Sequence, residues 1–156
     1  MKYTRLTKEQ LEELHKEFIN FLATQSITVD EWGDIKINKP EVAEQELDVF
    51  SDLVWEGVLG KAKYLENISP QHMYLFHLGE KKIELIGLKI KNTDVDLTTK
   101  EGYSWLQENL MSEDVEIFNA NKSYSQDAQL DKFTLIQQGS VITKGQLYQY
   151  FEKLIG

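Results

Sequence analysis

HMYLFHLGEKKIELIGLKI, residues 72–90, is the stretch that decides the fold of this 156-residue chain. Aromatic and β-branched residues fill two apolar runs, and the polar tetrapeptide GEKK, which contains a glycine, separates them. Runs of this length on either side of a short glycine-containing break are typical of a β-hairpin. The sequence therefore predicts two antiparallel strands, at about residues 72–78 and 83–90.

His72 and His77 lie in this stretch, and paired histidines raise the question of a metal site. Successive side chains of a strand alternate between its faces, so an odd separation sends the two rings to opposite sides. In a helix, five steps of about 100° leave the rings about 140° apart, whereas a helical zinc pair is four residues apart. We therefore predict two structural histidines, with His77 packed beside Phe76 and His72 at the strand entrance.

Before the hairpin, the hydrophobic period is that of a helix. Leucines and phenylalanines recur at helical spacing after Thr7 and predict an amphipathic helix over residues 8–24. A short helix is predicted at residues 29–35, and a longer one begins at Pro40, because proline is tolerated in a first helical turn, and runs to about Gly60. Helix starts are also indicated where a threonine is followed three residues later by Glu or Gln, at Thr7/Gln10, Thr28/Glu31, Thr98/Glu101 and Thr143/Gln146.

After the hairpin, helical and extended patterns alternate. Helices are predicted at residues 101–111 and 144–155, and the short apolar runs 115–118 and 133–136 are predicted to be strands. The polar segment 119–131, which lies between those runs, is predicted to be a loop or an irregular edge.

The composition is that of an ordinary globular protein, with 41% hydrophobic and 28% charged residues, and no repeat or low-complexity linker divides it. We therefore predict a single globular domain over residues 1–156. Its class is α+β, with N-terminal helices packed with a small, mostly antiparallel sheet and two interleaved C-terminal helices.

The charge of the chain restricts its partners. The net charge is −9, and residues 1–60 alone carry 13 acidic and 6 basic residues. Such a surface repels a phosphate backbone, so no direct nucleic-acid binding is expected. The chain has no cysteine, and no apolar run is long enough for an export signal or a membrane span. A cytoplasmic protein without membrane association is predicted.

Asp94 and Asp96 belong to DVDLT, the string that most resembles a catalytic motif. It is similar to the Asp-x-Asp-x-Thr nucleophile loop of haloacid-dehalogenase-type phosphotransferases, but there the motif follows directly on a buried strand, and here KNT separates it from Ile90. No serine elbow or glycine-rich phosphate loop is present either. We predict no catalytic residue, no cofactor and no metal site. A small metal-dependent hydrolase that uses Asp94 and Asp96 with His72 or His77 stays open as an alternative.

The helix predicted from Pro40 carries the candidate site. At about 100° per residue, its apolar residues cover half of the circumference, and four acids lie opposite with no basic residue among them. These four, each four residues from the next, are called the acidic row: Glu44, Asp48, Asp52 and Glu56. Like charges at this spacing disfavour an isolated helix by about 0.2–0.5 kcal/mol per pair, so something outside the helix must compensate them. Trp55 and Leu59 fall on the same face.

Two interpretations of this face stay open. A tryptophan rimmed by carboxylates is typical of a docking site for a basic protein, because tryptophan is enriched at binding hot spots. In that case the six residues form the partner-binding site of a non-enzymatic interaction or regulatory module. A factor associated with the transcription or translation machinery would differ only in its partner. In the other interpretation, Trp55 is half-buried against another element and the acids are solvated.

Four blocks of sequence that span nearly the whole chain carry a resemblance: MKYTRLTKEQLEELHKEFINFLATQSITVDEW, KPEVAEQELDVFSDLVWEGVL, DLTTKEGYSWL and LIQQGSVITKGQLY. In these blocks the chain resembles a family of small acidic proteins from Bacteroidota bacteria, a domain of unknown function. The resemblance implies a cytoplasmic single-domain protein of that phylum. It implies no established activity, and therefore no catalytic residues.

Overall fold

A computed structural model describes residues 1–155 of the chain. Over that range the chain forms seven helices and five strands: α1 (Lys8–Glu13), α2 (His15–Thr24), α3 (Val29–Asn38), α4 (Pro40–Lys61), β1 (Tyr64–Ser69), β2 (His72–Leu78), β3 (Lys82–Ile90), α5 (Lys100–Glu108), β4 (Val115–Ser123), α6 (Ala128–Gln137), β5 (Val141–Thr143) and α7 (Gln146–Ile155). The predicted α+β class is confirmed: helices come first, and an antiparallel sheet with interleaved helices follows.

The chain divides into two compact units, Met1–Gly60 and Lys61–Gly156. Each has a hydrophobic core of its own. The prediction of one domain stays a prediction. Between residues 1 and 155, no helix is both long enough and apolar enough to cross a membrane.

The first unit has an aromatic core. Phe18 packs edge-on against both Trp32 and Phe50, with ring centroids 5.1 Å apart in each pair, and Phe21 lies 5.5 Å from Phe50. The helix predicted over residues 8–24 is broken: Leu14, with φ −98° and ψ 21°, leaves the helical conformation and separates α1 from α2. Leu14 packs against the core. The break leaves the amphipathic pattern intact on both sides.

The buried side of α4 faces a different direction from the predicted one. Ala43 and Phe50 are buried, but Val49, Leu53 and Val58 are 50%, 56% and 40% exposed. Val49 and Leu53 lie about 80–120° around the helix from Ala43 on one side, whereas the buried Ser51 and Leu59 lie about 80° and 160° from it on the other. The buried side of the helix is therefore rotated away from Val49 and Leu53 and toward the face that carries Trp55.

Two of the predicted helix starts are confirmed. In α1, Thr7 Oγ1 accepts from Gln10 N at 3.2 Å and the Gln10 side chain accepts from Thr7 N at 2.9 Å, which is a complete capping box. In α3, Thr28 Oγ1 accepts from Glu31 N at 3.1 Å.

The other two predicted starts are wrong by one to three residues. Thr99 caps α5, because the side chain of Thr98 is held by Asp96. Thr143 lies in β5, and α7 begins only at Gln146. A Thr-x-x-Glu pattern marks the neighbourhood of a helix start, but local hydrogen bonds decide which threonine caps it.

The second unit is built on the sheet, whose strand order is β4-β3-β2-β1-β5. The predicted hairpin is confirmed, since β2 and β3 pair antiparallel with Leu78 opposite Ile83. One face, which carries Met73 and Leu75, packs against α5 and α7, and the opposite face packs against α6. Both faces are covered at the centre of the sheet.

Two predictions for the second unit are wrong. Residues 133–136, predicted to be a strand, lie in α6, which is capped by the Asp127 side chain accepting from Leu130 N at 3.1 Å. An apolar run of four residues is too short to distinguish a strand from a buried helix turn. Segment 119–131, predicted to be a loop or an irregular edge, continues the edge strand β4 in regular pairing as far as Ser123, and its last four residues begin α6. Strands β1 and β5 were not predicted.

Candidate functional site

The acidic row of α4 is covered by an earlier part of the same unit, residues 2–6, which we call the N-terminal segment. Two backbone amides of this segment share one carboxylate: Lys2 N donates to Asp52 Oδ2 at 2.7 Å, and Tyr3 N donates to Asp52 Oδ1 at 3.0 Å. Arg5 Nε donates to Asp48 Oδ1 at 2.7 Å. The acids therefore meet cations and amides from elsewhere in the chain.

Side chains of the N-terminal segment also converge on Glu56. Lys2 Nζ and Tyr3 Oη each lie 2.7 Å from Glu56 Oε1. In one contact the helix is the donor and the segment the acceptor: Trp55 Nε1 donates to the carbonyl oxygen of Thr4 at 3.1 Å. The carboxylates of Asp48, Asp52 and Glu56 and the indole of Trp55 thus bind one short piece of chain together.

A buried contact anchors the end of the segment. Leu6 N donates to Ser51 Oγ at 3.1 Å, and Ser51 is fully buried within α4. Leu6 itself is 7% exposed and belongs to the aromatic core cluster of the first unit. The polar contacts of the segment therefore continue directly into hydrophobic packing.

The N-terminal segment and the acidic row of α4 are similar in length and run in opposite directions. Lys2 lies at Glu56 and Arg5 lies at Asp48. Eight helical residues rise about 12 Å, and three residues cover at most about 10 Å, a difference that long basic side chains can span. Two cations three residues apart therefore reach acids two helical turns apart, although the chain bends at Tyr3 between them.

The electrostatics of the site follow from these contacts. The hydrogen bond to Asp48 raises the pKa of Arg5. Burial raises the pKa of Tyr3, and the hydrogen bond to Glu56 acts in the same direction. The pair of Lys2 and Glu56 is 40% exposed on each side, and exposed pairs of this kind contribute about 1 kcal/mol or less. The segment is held by several weak contacts and one buried anchor.

The six predicted site residues differ in how they are placed relative to the N-terminal segment. Asp48, Asp52, Glu56 and the half-buried Trp55 are brought together by the segment, as described above. Glu44 accepts a long hydrogen bond from Arg5 Nη2 through its carbonyl oxygen, at 3.5 Å, and its carboxylate acts on Arg5 through its charge alone. Leu59 is fully buried and presents no surface to a partner.

Sequence reasoning missed the residues that cover the row, namely Lys2, Tyr3, Arg5 and Ser51. One signal was available, because two cations three residues apart stand at the start of a strongly acidic half-chain. Nothing in the sequence, however, says that they reach residues 39 to 54 positions away.

Asp96, from the alternative hydrolase site, has a local structural role. Its Oδ1 accepts from Thr98 N at 2.9 Å and from Thr98 Oγ1 at 2.5 Å, and these hydrogen bonds lower the pKa of Asp96. Asp94 N donates to Asn92 Oδ1 at 3.0 Å in the preceding turn. In the part of the chain that the structure describes, no three His, Asp or Glu side chains come together as a metal-binding group.

The two histidines have different surroundings, as their spacing predicts. The ring of His77 lies 5.1 Å from Tyr64 and 5.6 Å from Tyr148, and its Nδ1 is 3.3 Å from Glu84 Oε1. The ring of His72 is stacked at 5.9 Å on the adjacent Tyr74. His77 has a polar neighbour for its ring nitrogen, but it packs against Tyr64 and Tyr148, whereas the predicted neighbour Phe76 belongs to a different cluster.

Fold and site together define an α+β protein in which an acidic helix binds a basic segment of its own chain. The chain belongs to a family of unknown function, DUF6495, whose sequence model it matches over residues 1–156. No curated protein matches the chain significantly. No solved structure matches it significantly either. Membership of the family thus adds no activity to the geometry.

Proposed function

We propose that this protein is a non-enzymatic interaction module whose acidic row binds a basic, extended segment of a partner protein in exchange with residues 2–6. The observation that carries the proposal is the set of contacts made by the N-terminal segment. They define a ligand with two cations three residues apart, an aromatic hydroxyl between them, and backbone amides that reach a carboxylate. A partner segment with this pattern would find the same acceptors.

The energetics favour exchange. The ion pairs of the segment are partly exposed, so each contributes little and is screened by salt. Local opening of the segment also exposes Tyr3 and Leu6, but it costs less free energy than unfolding of the unit, because the rest of the aromatic core stays packed. The net charge of −9 further favours the encounter with a basic protein, because complementary charge acts mainly on the association rate.

The proposal includes a cytoplasmic setting in a Bacteroidota bacterium, as the resemblance implies. A component of the transcription or translation machinery is one kind of basic partner that would fit. The hydrolase alternative gains no support from Asp94 and Asp96, because the hydrogen bonds of both are local contacts within two consecutive turns.

The test uses a labelled peptide with the sequence of the segment, KYTRLT, and a variant that combines Lys2→Ala with Arg5→Ala to loosen the covering segment. Fluorescence anisotropy should show the peptide binding to this variant about tenfold tighter than to the native protein, with affinity that falls as salt rises. The matched control is the peptide EYTELT. Addition of Asp48→Asn and Asp52→Asn to the variant should abolish binding.

Absence of any binding to the loosened variant at low salt would overturn the proposal. The same variants serve as bait in the host cell: the loosened protein should retain a basic partner that the Asn-substituted protein loses. Equal recovery of the same partner by both would place its binding site elsewhere.

A further inference from the structure

Strand β4 forms one edge of the sheet and is open along its length. It is nine residues long, and residues 116–123 are all exposed. Its pairing with β3 is one-to-one from Ser123 opposite Lys82 to Val115 opposite Ile90, without a bulge, and the strand contains no proline. Proteins usually protect edges with short strands, prolines or bulges, and β4 has none of these.

The backbone of β4 alternates between β3 and the open side. Just beyond its two ends, Lys91 N donates to Asp114 O at 2.8 Å and Tyr124 N donates to Lys81 O at 3.4 Å. Hydrogen-bonded and non-hydrogen-bonded pairs alternate in an antiparallel ladder, so even-numbered residues of β4 bond to β3. Its odd-numbered residues therefore direct their N–H and C=O groups outward, and Asn119 is central among them.

We infer that this edge pairs with the β4 strand of a second copy of the chain, antiparallel about a two-fold axis at Asn119. This register uses all nine residues and joins only outward-facing backbone groups. It places Glu116 opposite Lys122 of the second copy, and Phe118 opposite Ala120 of the second copy, each pair occurring twice. Opposite charges and a large side chain facing a small one are favourable cross-strand pairs.

The side chains around β4 leave its edge accessible. A Cβ atom on Gly87 would lie 2.2 Å from the ring of Phe118, so this glycine lets the ring lie over β3, where it meets Tyr74 at 6.5 Å. Phe118 nevertheless stays 40% exposed. A side chain that folds back over its own sheet does not shield the backbone of the edge.

Exposed apolar residues adjoin the edge on the opposite face of the sheet. A cleft of about 560 Å³ is lined by residues that include Met111, Ile117 and Leu154. Met111 is 97% exposed and Leu154 is 54% exposed. Contiguous apolar exposure of this kind is typical of protein contact surfaces, and pairing of two edges would reduce it.

The first test is the mass of the full chain by sedimentation equilibrium over micromolar to millimolar concentration. A reversible dimer should appear, with twice the 18.2 kDa of the monomer. Asn119→Pro removes an outward N–H at the two-fold axis and should give a monomer with an unchanged circular dichroism spectrum. The matched control, Asn119→Ala, keeps the N–H and should stay dimeric.

The second test does not depend on whether the proline variant folds. Glu116→Lys and Lys122→Glu each place like charges opposite one another and should weaken their own dimers about tenfold. A mixture of the two variants restores both pairs and should form the heterodimer. Lys63→Glu, the same charge change away from β4, should leave the dimer intact.

A monomer at every concentration would overturn the inference. A dimer indifferent to Asn119→Pro, or charge variants that fail to prefer each other, would also overturn it. Apart from the control at Lys63, these tests change only β4 residues, and the proposed function is tested on the acidic row. Failure of this inference would therefore leave the proposed function standing, and the reverse also holds.

Discussion

The acidic row of α4 and the edge of β4 show opposite relations between sequence and surface. The row has the composition of an interface, yet its carboxylates meet residues of the same unit, as with Asp52 and the amides of Lys2 and Tyr3. The edge has the composition of a loop, yet it is a regular strand with an open side. A cluster of charge therefore identifies a need for a partner, and that partner can be a segment of the same chain.

Replacement of Trp55 by alanine tests this comparison with the largest expected effect. The side chain packs against the core of the first unit and donates to Thr4 O, so the free energy of unfolding should fall by about 3 kcal/mol. Urea unfolding followed by circular dichroism measures the change. Leu53→Ala, on the exposed side of α4, should stay within about 1 kcal/mol of the native protein. A smaller loss for Trp55→Ala than for Leu53→Ala would make Trp55 a surface residue.

The double replacement of Asp48 and Asp52 by lysine distinguishes a covered row from a solvated one. Solvated acids would be relieved of repulsion, and stability would stay equal or rise slightly. Because both carboxylates accept from the N-terminal segment, we expect a loss of about 1–2 kcal/mol instead. The same charge change at Glu12 and Glu13, both exposed on α1, should have little effect. Equal behaviour of the two double variants would contradict the covered row.

High pH should lower the stability of the region around β4, because Tyr148 lies in a cleft beside this strand. Burial raises the pKa of Tyr148 to about 12, and Glu84 and Glu152 act in the same direction. Below pH 10 both the folded and the unfolded states keep this proton. Between pH 10 and 12 only the unfolded state loses it, so stability should fall as pH rises, by about 1 kcal/mol at pH 11. Comparison with Tyr148→Phe isolates the effect, and an identical pH dependence in that variant would contradict it.

Glu44→Gln has the smallest expected effect and sharpens the description of the row. Its carbonyl oxygen accepts the hydrogen bond from the guanidinium of Arg5, and its carboxylate acts on that cation through charge alone. The free energy of unfolding should therefore change by less than about 0.5 kcal/mol. Asp48→Asn is the comparison, and thermal unfolding of both should show the larger loss for Asp48. A larger loss for Glu44→Gln would show that its carboxylate holds the segment.

The elements with strong local signals could be predicted from the sequence. The hairpin is specified by two apolar runs and a glycine-containing turn, and the start of α1 is specified by Thr7 and Gln10. Strand β4 gave no such signal beyond residue 118, because an edge strand exposed on both faces needs no apolar alternation.

Only one half of the candidate site, the acidic row, could be predicted from the sequence. The spacing of Asp48, Asp52 and Glu56 places them on one helical face, and this follows from helix geometry alone. The covering segment could not be found in this way, because contacts such as that between Arg5 and Asp48 depend on how helices distant in sequence pack. Tertiary packing, and not local propensity, decides which cation reaches which acid.

The order in which a ribosome makes the first unit has a consequence for its N-terminal segment. The contacts of the segment join residues 39 to 54 positions apart, so the residues that hold it are synthesised last. At about 5–20 residues per second, the segment waits about 2 to 11 seconds before α4 exists. During that time Lys2, Arg5 and the apolar Leu6 emerge without their acceptors. The nascent chain thus presents a short basic peptide whose cations meet their carboxylate partners only after α4 has been made.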